Sequence, residues 1–179
     1  MQVIDLVERL GAVNTKQITQ LFFAGLNQPD IVARRRLAQI AKDSEIKREK
    51  DPLTGQYVYF TKKAQLQHKL LRTEFYCRLL KGSGKLMQFE PEYTVDNVRA
   101  DAFAAYEYRG KGYLMFVEVQ LCNVPVDIAK YERLYYSRNW TWPAFPRIVV
   151  ITDKKVVNNS RLTVRVIPTN LNNWEECLK

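Results

Sequence analysis

The chain has 179 residues, 46% hydrophobic and 26% charged, as expected for a folded protein of one large or two small domains. One histidine and three scattered cysteines argue against a His/Cys zinc site and a disulfide framework, and no apolar run is long enough to span a membrane. The net charge of +9 favours nucleic acid as the partner. Without a cleavable signal sequence, we expect a cytoplasmic bacterial protein with reduced thiols.

Three helices are predicted at the start of the chain. The first helix is predicted over residues 2–10, where apolar residues recur at helical spacing. Asn14 is a suitable N-cap for a second, short helix. Pro29 suits the first turn of a third helix, predicted over residues 30–41. This third helix has one apolar stripe, and the remaining surface carries an arginine triplet consisting of Arg34, Arg35 and Arg36.

A basic hairpin is predicted next, over residues 45–60. Its turn, residues 51–55, contains proline and glycine between two strand-like segments. The first strand carries Lys47, Arg48 and Lys50. Three helices followed by a hairpin are typical of a winged helix-turn-helix, in which the third helix enters the major groove and the hairpin contacts the backbone or the minor groove. The arginine triplet and these three residues are therefore the candidate contacts to double-stranded DNA.

The second half of the chain predicts a mixed sheet covered by helices. A long helix is expected over residues 62–81, and another over residues 126–137. His68, in the first of these helices, is interpreted as a surface or boundary residue. Strands are predicted over residues 86–90, 98–108, 113–121, 148–152 and 162–168. We expect an α+β fold with one domain over residues 1–62 and another over residues 63–179.

Acidic and amide side chains interrupt the most apolar strand. Glu118 and Gln120 are two residues apart, so they point to the same face. A two-residue turn at Gly110 and Lys111 would place Asp101 opposite Gln120, with Glu118 as its diagonal neighbour. Two carboxylates on one face of a buried strand pair could hold one Mg²⁺. Asp101 and Glu118 are therefore candidate metal ligands.

Asp101, followed by Glu118-Val119-Gln120 on the next strand, resembles the motif of the PD-(D/E)xK nuclease superfamily. The resemblance implies an α/β restriction-endonuclease-like domain in which Asp101 and Glu118 bind a divalent metal. Gln120 stands where the superfamily usually has its catalytic lysine, so Asp101, Glu118 and Gln120 would form a catalytic site that is degenerate. Lys130 on the following helix is an alternative source of the amine. Further candidate ligands are Glu74, Glu90 and Glu92.

The whole chain resembles the replication-relaxation family of Gram-positive plasmids, phages and integrative elements. The resemblance lies in LVERLGAVNTKQITQLFF, in the arginine triplet, and in VRADAFAAYEY, YLMFVEVQ and DIAKYERLYYSR. It implies double-stranded DNA binding in replication, in DNA relaxation and mobilisation, or in their control, with replication or relaxase proteins as further partners.

Three functions remain open at this point. The first is a DNA-binding protein of a mobile genetic element with an inactive nuclease-like domain, which requires no cofactor. The second is an active Mg²⁺-dependent DNA endonuclease, and the third is an adaptor that recruits replication or transfer proteins. An aromatic group fits either an interface or ordinary packing, and comprises Tyr131, Tyr135, Tyr136, Trp140 and Trp142. The sequence leaves the oligomeric state open, a homodimer included.

Overall fold

A computed structural model describes residues 2–52 and 54–179 of the chain. These residues form a mixed α+β structure with five α-helices. The chain divides into two compact units, of which the first ends at Cys77 and the second begins at Arg78. Leu53, which the sequence places in the hairpin turn, lies outside the described residues.

The first unit combines helices with a small antiparallel sheet. Its helices are α1 (Val3–Leu10), α2 (Thr15–Ile18), α3 (Pro29–Asp43) and most of α4 (Leu66–Lys81), and α2 continues into a π-helical turn over Thr19–Phe23. Its strands are β1 (Ala12–Asn14), β2 (Lys47–Lys50) and β3 (Tyr57–Phe60), with β3 in the middle. The three predicted helices and the predicted hairpin are confirmed, whereas β1 was not predicted.

Local signals explain where the helices of the first unit begin and end. Gly11 ends α1 in the left-handed conformation, with φ at 77°, and donates its N–H to Val7. Asn14 caps α2 by accepting the N–H of Gln17 at 2.9 Å, while the Gln17 side chain accepts the N–H of Asn14. Pro29 occupies the first turn of α3, as predicted.

Helix α4 belongs largely to the first unit. Its buried Arg72 donates to the carbonyl of Leu10 at 2.8 Å, and Thr73 donates to the carbonyl of Ala12 at the same distance. Leu70 packs in an apolar cluster with residues of β1 and β3. The division between the compact units therefore falls within the residues of α4, while the predicted boundary at residue 62 precedes this helix.

The second unit is built on a mixed five-stranded sheet. Its strands are β4 (Lys85–Pro91), β7 (Ala102–Tyr108), β8 (Lys111–Val119), β9 (Arg147–Ile151) and β10 (Val164–Ile167). Their spatial order is β10-β9-β8-β7-β4; β8, β9 and β10 are parallel, and the other neighbours are antiparallel. The remaining elements are a small hairpin of β5 (Thr94–Val95) and β6 (Val98–Arg99), helix α5 (Ile128–Ser137) and a 3₁₀ helix over Trp174–Leu178.

The turn between β7 and β8 sets their register. It consists of Arg109 and Gly110, which have φ angles of 51° and 73°, as a tight hairpin turn requires. The prediction of a turn at Gly110 and Lys111 was therefore wrong by one residue. Since Ala102 pairs with Val117, continuing the observed register brings Asp101 level with Glu118 rather than with Gln120.

Helix α5 covers one face of this sheet. Tyr131 and Leu134 of α5 pack with Phe103, Phe116 and Ile148 in one buried cluster. Side chains alternate along β8, so Glu118 points to the same face as Phe116. The fold thus directs the carboxylate of Glu118 toward α5.

Candidate functional site

The first candidate surface is the solvent side of α3. Ala33, Leu37 and Ile40 are buried in the first unit, as their helical spacing predicts. The arginine triplet occupies the positions between them, and all three of its members are exposed. Burial of the apolar stripe therefore holds three guanidinium groups in solvent.

A groove of about 980 Å³ runs between α3 and β2. Its lining includes Arg35 from the helix and Lys47 and Arg48 from the hairpin, together with the acidic residues Glu45 and Glu49. The other predicted DNA contacts, Arg34, Arg36 and Lys50, are exposed but do not line it. Sequence reasoning missed Lys42, another lining residue, although its position two helical turns after Arg35 could have indicated it.

Arg48 interacts with two tyrosines of β3, Tyr57 and Tyr59. Its guanidinium carbon is 4.7 Å from the ring centroid of Tyr57. Burial raises the pKa of Tyr59, and the positive charge of Arg48 opposes that rise. Glu49, the acidic residue between the basic residues of β2, forms an ion pair with Lys63 at 2.8 Å. The charge of Glu49 is therefore balanced within the hairpin region.

The second candidate site is a carboxylate cluster in the second unit, consisting of Asp101, Glu118, Lys130 and Tyr131. Lys130 Nζ lies 2.6 Å from Glu118 Oε1, and the Tyr131 hydroxyl donates to the same oxygen. Asp101 Oδ2 accepts the N–H of Val119 at 2.7 Å. The structure thus brings together both predicted carboxylates and the lysine of the following helix.

The electrostatics of the cluster follow from burial. Burial raises the pKa of Glu118, and the nearby charge of Asp101 raises it further. Lys130 and the hydrogen bond from Tyr131 act in the opposite direction. Burial and the charge of Glu118 raise the pKa of Tyr131, so this phenol is held as a hydrogen-bond donor. Lys130 therefore supplies the compensating charge that a buried carboxylate needs.

Gln120 does not take part in this cluster through its side chain. Its side-chain amide donates to the carbonyl of Val124 at 3.0 Å, and its backbone N–H donates to Ile151. Gln120 is buried, and its observed contacts tie the segment after β8 to the sheet. These contacts give Gln120 a structural role, and the catalytic role that the nuclease resemblance implies stays a prediction.

The other candidate ligands are occupied elsewhere. Glu92 forms an ion pair with Arg99, Glu90 accepts a hydrogen bond from Gln88, and Glu74 accepts one from Gln17 at 3.2 Å. Among the residues that the structure describes, no three His, Cys, Asp or Glu side chains are grouped as a metal site would require.

A divalent cation fits this cluster poorly. Mg²⁺ is commonly bound by one or two carboxylates together with water and substrate phosphate, and the cluster offers two carboxylates. However, Glu118 Oε1 already accepts hydrogen bonds from both Lys130 and Tyr131. A cation at that oxygen would have to displace the ammonium of Lys130.

No protein-family model, curated protein or solved structure matches this chain. The resemblance to the replication-relaxation family therefore stays a prediction. In residues 2–52 and 54–179, no helix is both long enough and apolar enough to cross a membrane.

Proposed function

We propose that the chain binds double-stranded DNA through α3 and the β2–β3 hairpin, in the manner of a winged helix-turn-helix. The observation that carries this proposal is the groove between these elements, with Arg35 on one wall and Lys47 and Arg48 on the other. An α-helix with its side chains is about 10–12 Å wide, which matches the width of the major groove. The arginine triplet would contact base edges and phosphates, and the basic residues of β2 would contact the backbone.

The biological setting that we propose is a mobile genetic element, where the protein would act in replication, mobilisation or their control. In this proposal the carboxylate cluster is a remnant of a nuclease-like site that no longer cuts DNA. An adaptor that binds mainly protein is the alternative to this setting. An adaptor would show little affinity for duplex DNA, whereas a winged-helix protein would bind duplex DNA tightly under the same conditions.

Fluorescence anisotropy with a labelled duplex tests DNA binding. Replacing the arginine triplet with alanine should weaken binding at least about tenfold. It should also make the salt dependence of binding shallower, because fewer counterions are released from DNA when fewer phosphates are contacted. A matched control removes three exposed lysines of the second unit by the changes Lys85→Ala, Lys154→Ala and Lys155→Ala. Equal losses in the two variants would contradict the assignment to α3.

A metal-dependent endonuclease is the second candidate, because Lys130 brings an amine to the two carboxylates. Incubation of supercoiled plasmid with Mg²⁺, Mn²⁺ or EDTA distinguishes it from the first. We expect binding without cleavage, since Lys130 already neutralises Glu118. Cleavage that depends on metal, is abolished by Asp101→Asn and by Glu118→Gln, and survives the control Glu107→Gln would establish the endonuclease instead.

A further inference from the structure

A second groove, of about 560 Å³, lies in the second unit. It is formed where β8 and β9 begin, together with the segments that follow α5 and precede β10. We call it the arginine pocket, and its defining residues are Tyr113, Tyr135, Arg138, Phe145, Arg147 and Arg161. Its volume is within the range of small-molecule sites. Tyr113 precedes Glu118 by five residues on β8, or about 17 Å along the strand, so this pocket is separate from the carboxylate cluster.

The charge of the arginine pocket is uncompensated. Its lining includes Arg138, Arg147 and Arg161 but no aspartate or glutamate. Within the described part of the chain, none of these three guanidinium groups has a carboxylate within ion-pair distance. Burial lowers the pKa of Arg147, and the nearby positive charge of Arg165 lowers it further. An anionic ligand would offset this accumulated positive charge.

Arg147 is held in place before any ligand arrives. It donates to the carbonyl of Cys177 at 2.6 Å, and its guanidinium carbon lies 4.8 Å from the ring centroid of Tyr113. Arg138 lies over Tyr135, at 5.9 Å from the ring centroid, and is itself exposed. These contacts position two of the guanidinium groups without neutralising them, and this lowers the entropic cost of binding an anion.

Aromatic rings surround these charges. Tyr135 and Phe145 pack edge to face at 5.3 Å, and Tyr136, which also lines the pocket, is 62% exposed. Aromatic faces and guanidinium planes are the surfaces on which unpaired bases stack, while arginine also binds phosphate. An acidic peptide would satisfy the charges but leave the rings unused.

We infer that the arginine pocket binds an unpaired nucleotide, with the base against the tyrosines and the phosphate at the arginines. The nucleotide could belong to a single DNA strand or be a free mononucleotide, and both sources present the same base and phosphate. This inference concerns the second unit and does not depend on duplex binding by the first.

The test uses the full chain with the arginine triplet replaced by alanine, so that binding through α3 does not contribute. The probes are a labelled oligothymidylate of about 12 nucleotides, dTMP, and an oligoglutamate peptide of equal charge. Anisotropy reports the labelled probes. Tryptophan fluorescence reports dTMP, because Trp140 stacks on Tyr135 at 6.3 Å.

In this background, Arg138→Ala with Arg161→Ala should weaken nucleotide binding at least about tenfold, and Tyr136→Ala should weaken it about threefold. All three side chains are exposed, so the variants should fold. The control, Lys154→Ala with Lys155→Ala, removes the same charge at the opposite end of β9 and should change binding less than about twofold.

The two nucleotide probes identify the source. Binding of dTMP that depends on the pocket arginines assigns a free nucleotide, and binding of the oligonucleotide alone assigns a single strand. The inference is overturned if neither probe binds, if the pocket and control variants behave alike, or if oligoglutamate binds as tightly as the oligonucleotide. Failure of duplex binding would appear separately, in the anisotropy experiment on α3.

Discussion

Lys130 Nζ lies 2.6 Å from Glu118 Oε1 and donates a second hydrogen bond, at 2.7 Å, to the carbonyl of Arg99. One ammonium group therefore joins β8, α5 and the end of β6. In the nuclease resemblance, the amine would stand at position 120, directly after β8. Here it comes from a helix twelve residues after Glu118, and its partners make it a charge-balancing group in a largely buried site.

We expect Lys130→Met to lower the free energy of unfolding of the second unit by about 2 kcal/mol. Removing one member of a buried ion pair leaves the other charge uncompensated, although the partial exposure of Lys130 reduces the full cost. The measurement is urea unfolding followed by tryptophan fluorescence, because Trp140, Trp142 and Trp174 all lie in the second unit.

Glu118→Gln is the matched control for this experiment. It keeps an acceptor for Tyr131, and it leaves Lys130 bonded to Arg99 and partly in solvent. It should therefore destabilise the unit less than Lys130→Met does. If Glu118→Gln lowers the free energy of unfolding more than Lys130→Met does, then the ammonium of Lys130, and not the carboxylate of Glu118, is the charge that needs its partner.

The same carboxylate predicts a pH dependence. The pKa of Glu118 lies above its ordinary value of 4.5 because the group is buried. At a pH between the pKa of the unfolded state and the higher pKa of the folded state, the folded state binds more protons than the unfolded state. The contribution of Glu118 to stability therefore falls as the pH rises. As the pH rises above about 4.5, Glu118→Gln should therefore become more stable relative to the wild type. A difference that stays constant with pH would show that the pKa is not raised.

Much of the fold could be predicted because its signals are local. Pro29, Asn14 and Gly11 mark helix ends through their own backbone preferences, and the apolar strands of the second unit stand out by composition. Strand β1 was missed because three residues are too few to show a period. The helix within residues 62–81 was predicted, but its assignment to the first unit depends on tertiary hydrogen bonds such as that from Arg72 to Leu10. Such hydrogen bonds cannot be recognised from the sequence.

The candidate sites were predicted less completely. The faces of Asp101 and Glu118 followed from strand parity, whereas the register depended on which two residues form the turn. Tyr131 belonged to the predicted aromatic group, but its bond to Glu118 depends on how α5 packs on the sheet. The arginine pocket was not predicted, because the residues that line it come from segments far apart in the sequence.

The three cysteines give a simple test of packing in solution. Cys77 and Cys177 are buried, Cys122 is exposed, and burial raises the pKa of Cys177 to about 12. Because the thiolate is the reacting form, a disulfide reagent should rapidly modify one thiol in the native chain and all three after unfolding. Cys122→Ser should abolish the rapid phase. Rapid reaction of a second thiol would indicate that one buried site opens readily.

The last prediction concerns how much of α4 the first unit needs. A fragment of residues 1–62 lacks the side chains of Leu70, Arg72 and Thr73, which fill or hydrogen-bond its core. It would also leave the buried Gln17 without the Leu70 carbonyl that accepts its amide N–H at 3.1 Å. Since each unsatisfied buried polar group costs about 1–3 kcal/mol, the shorter fragment should be largely unfolded, whereas residues 1–81 should fold.

Thermal melts followed by circular dichroism compare the two fragments. The full-length variant Thr73→Val serves as the control, since it removes one hydrogen bond to Ala12 while keeping the shape of the side chain. It should lower the stability of the first unit by about 1 kcal/mol and leave the fold intact. If residues 1–62 melt cooperatively at the same temperature as residues 1–81, then α4 contributes no stability and the first unit ends ahead of it, as the sequence alone predicts.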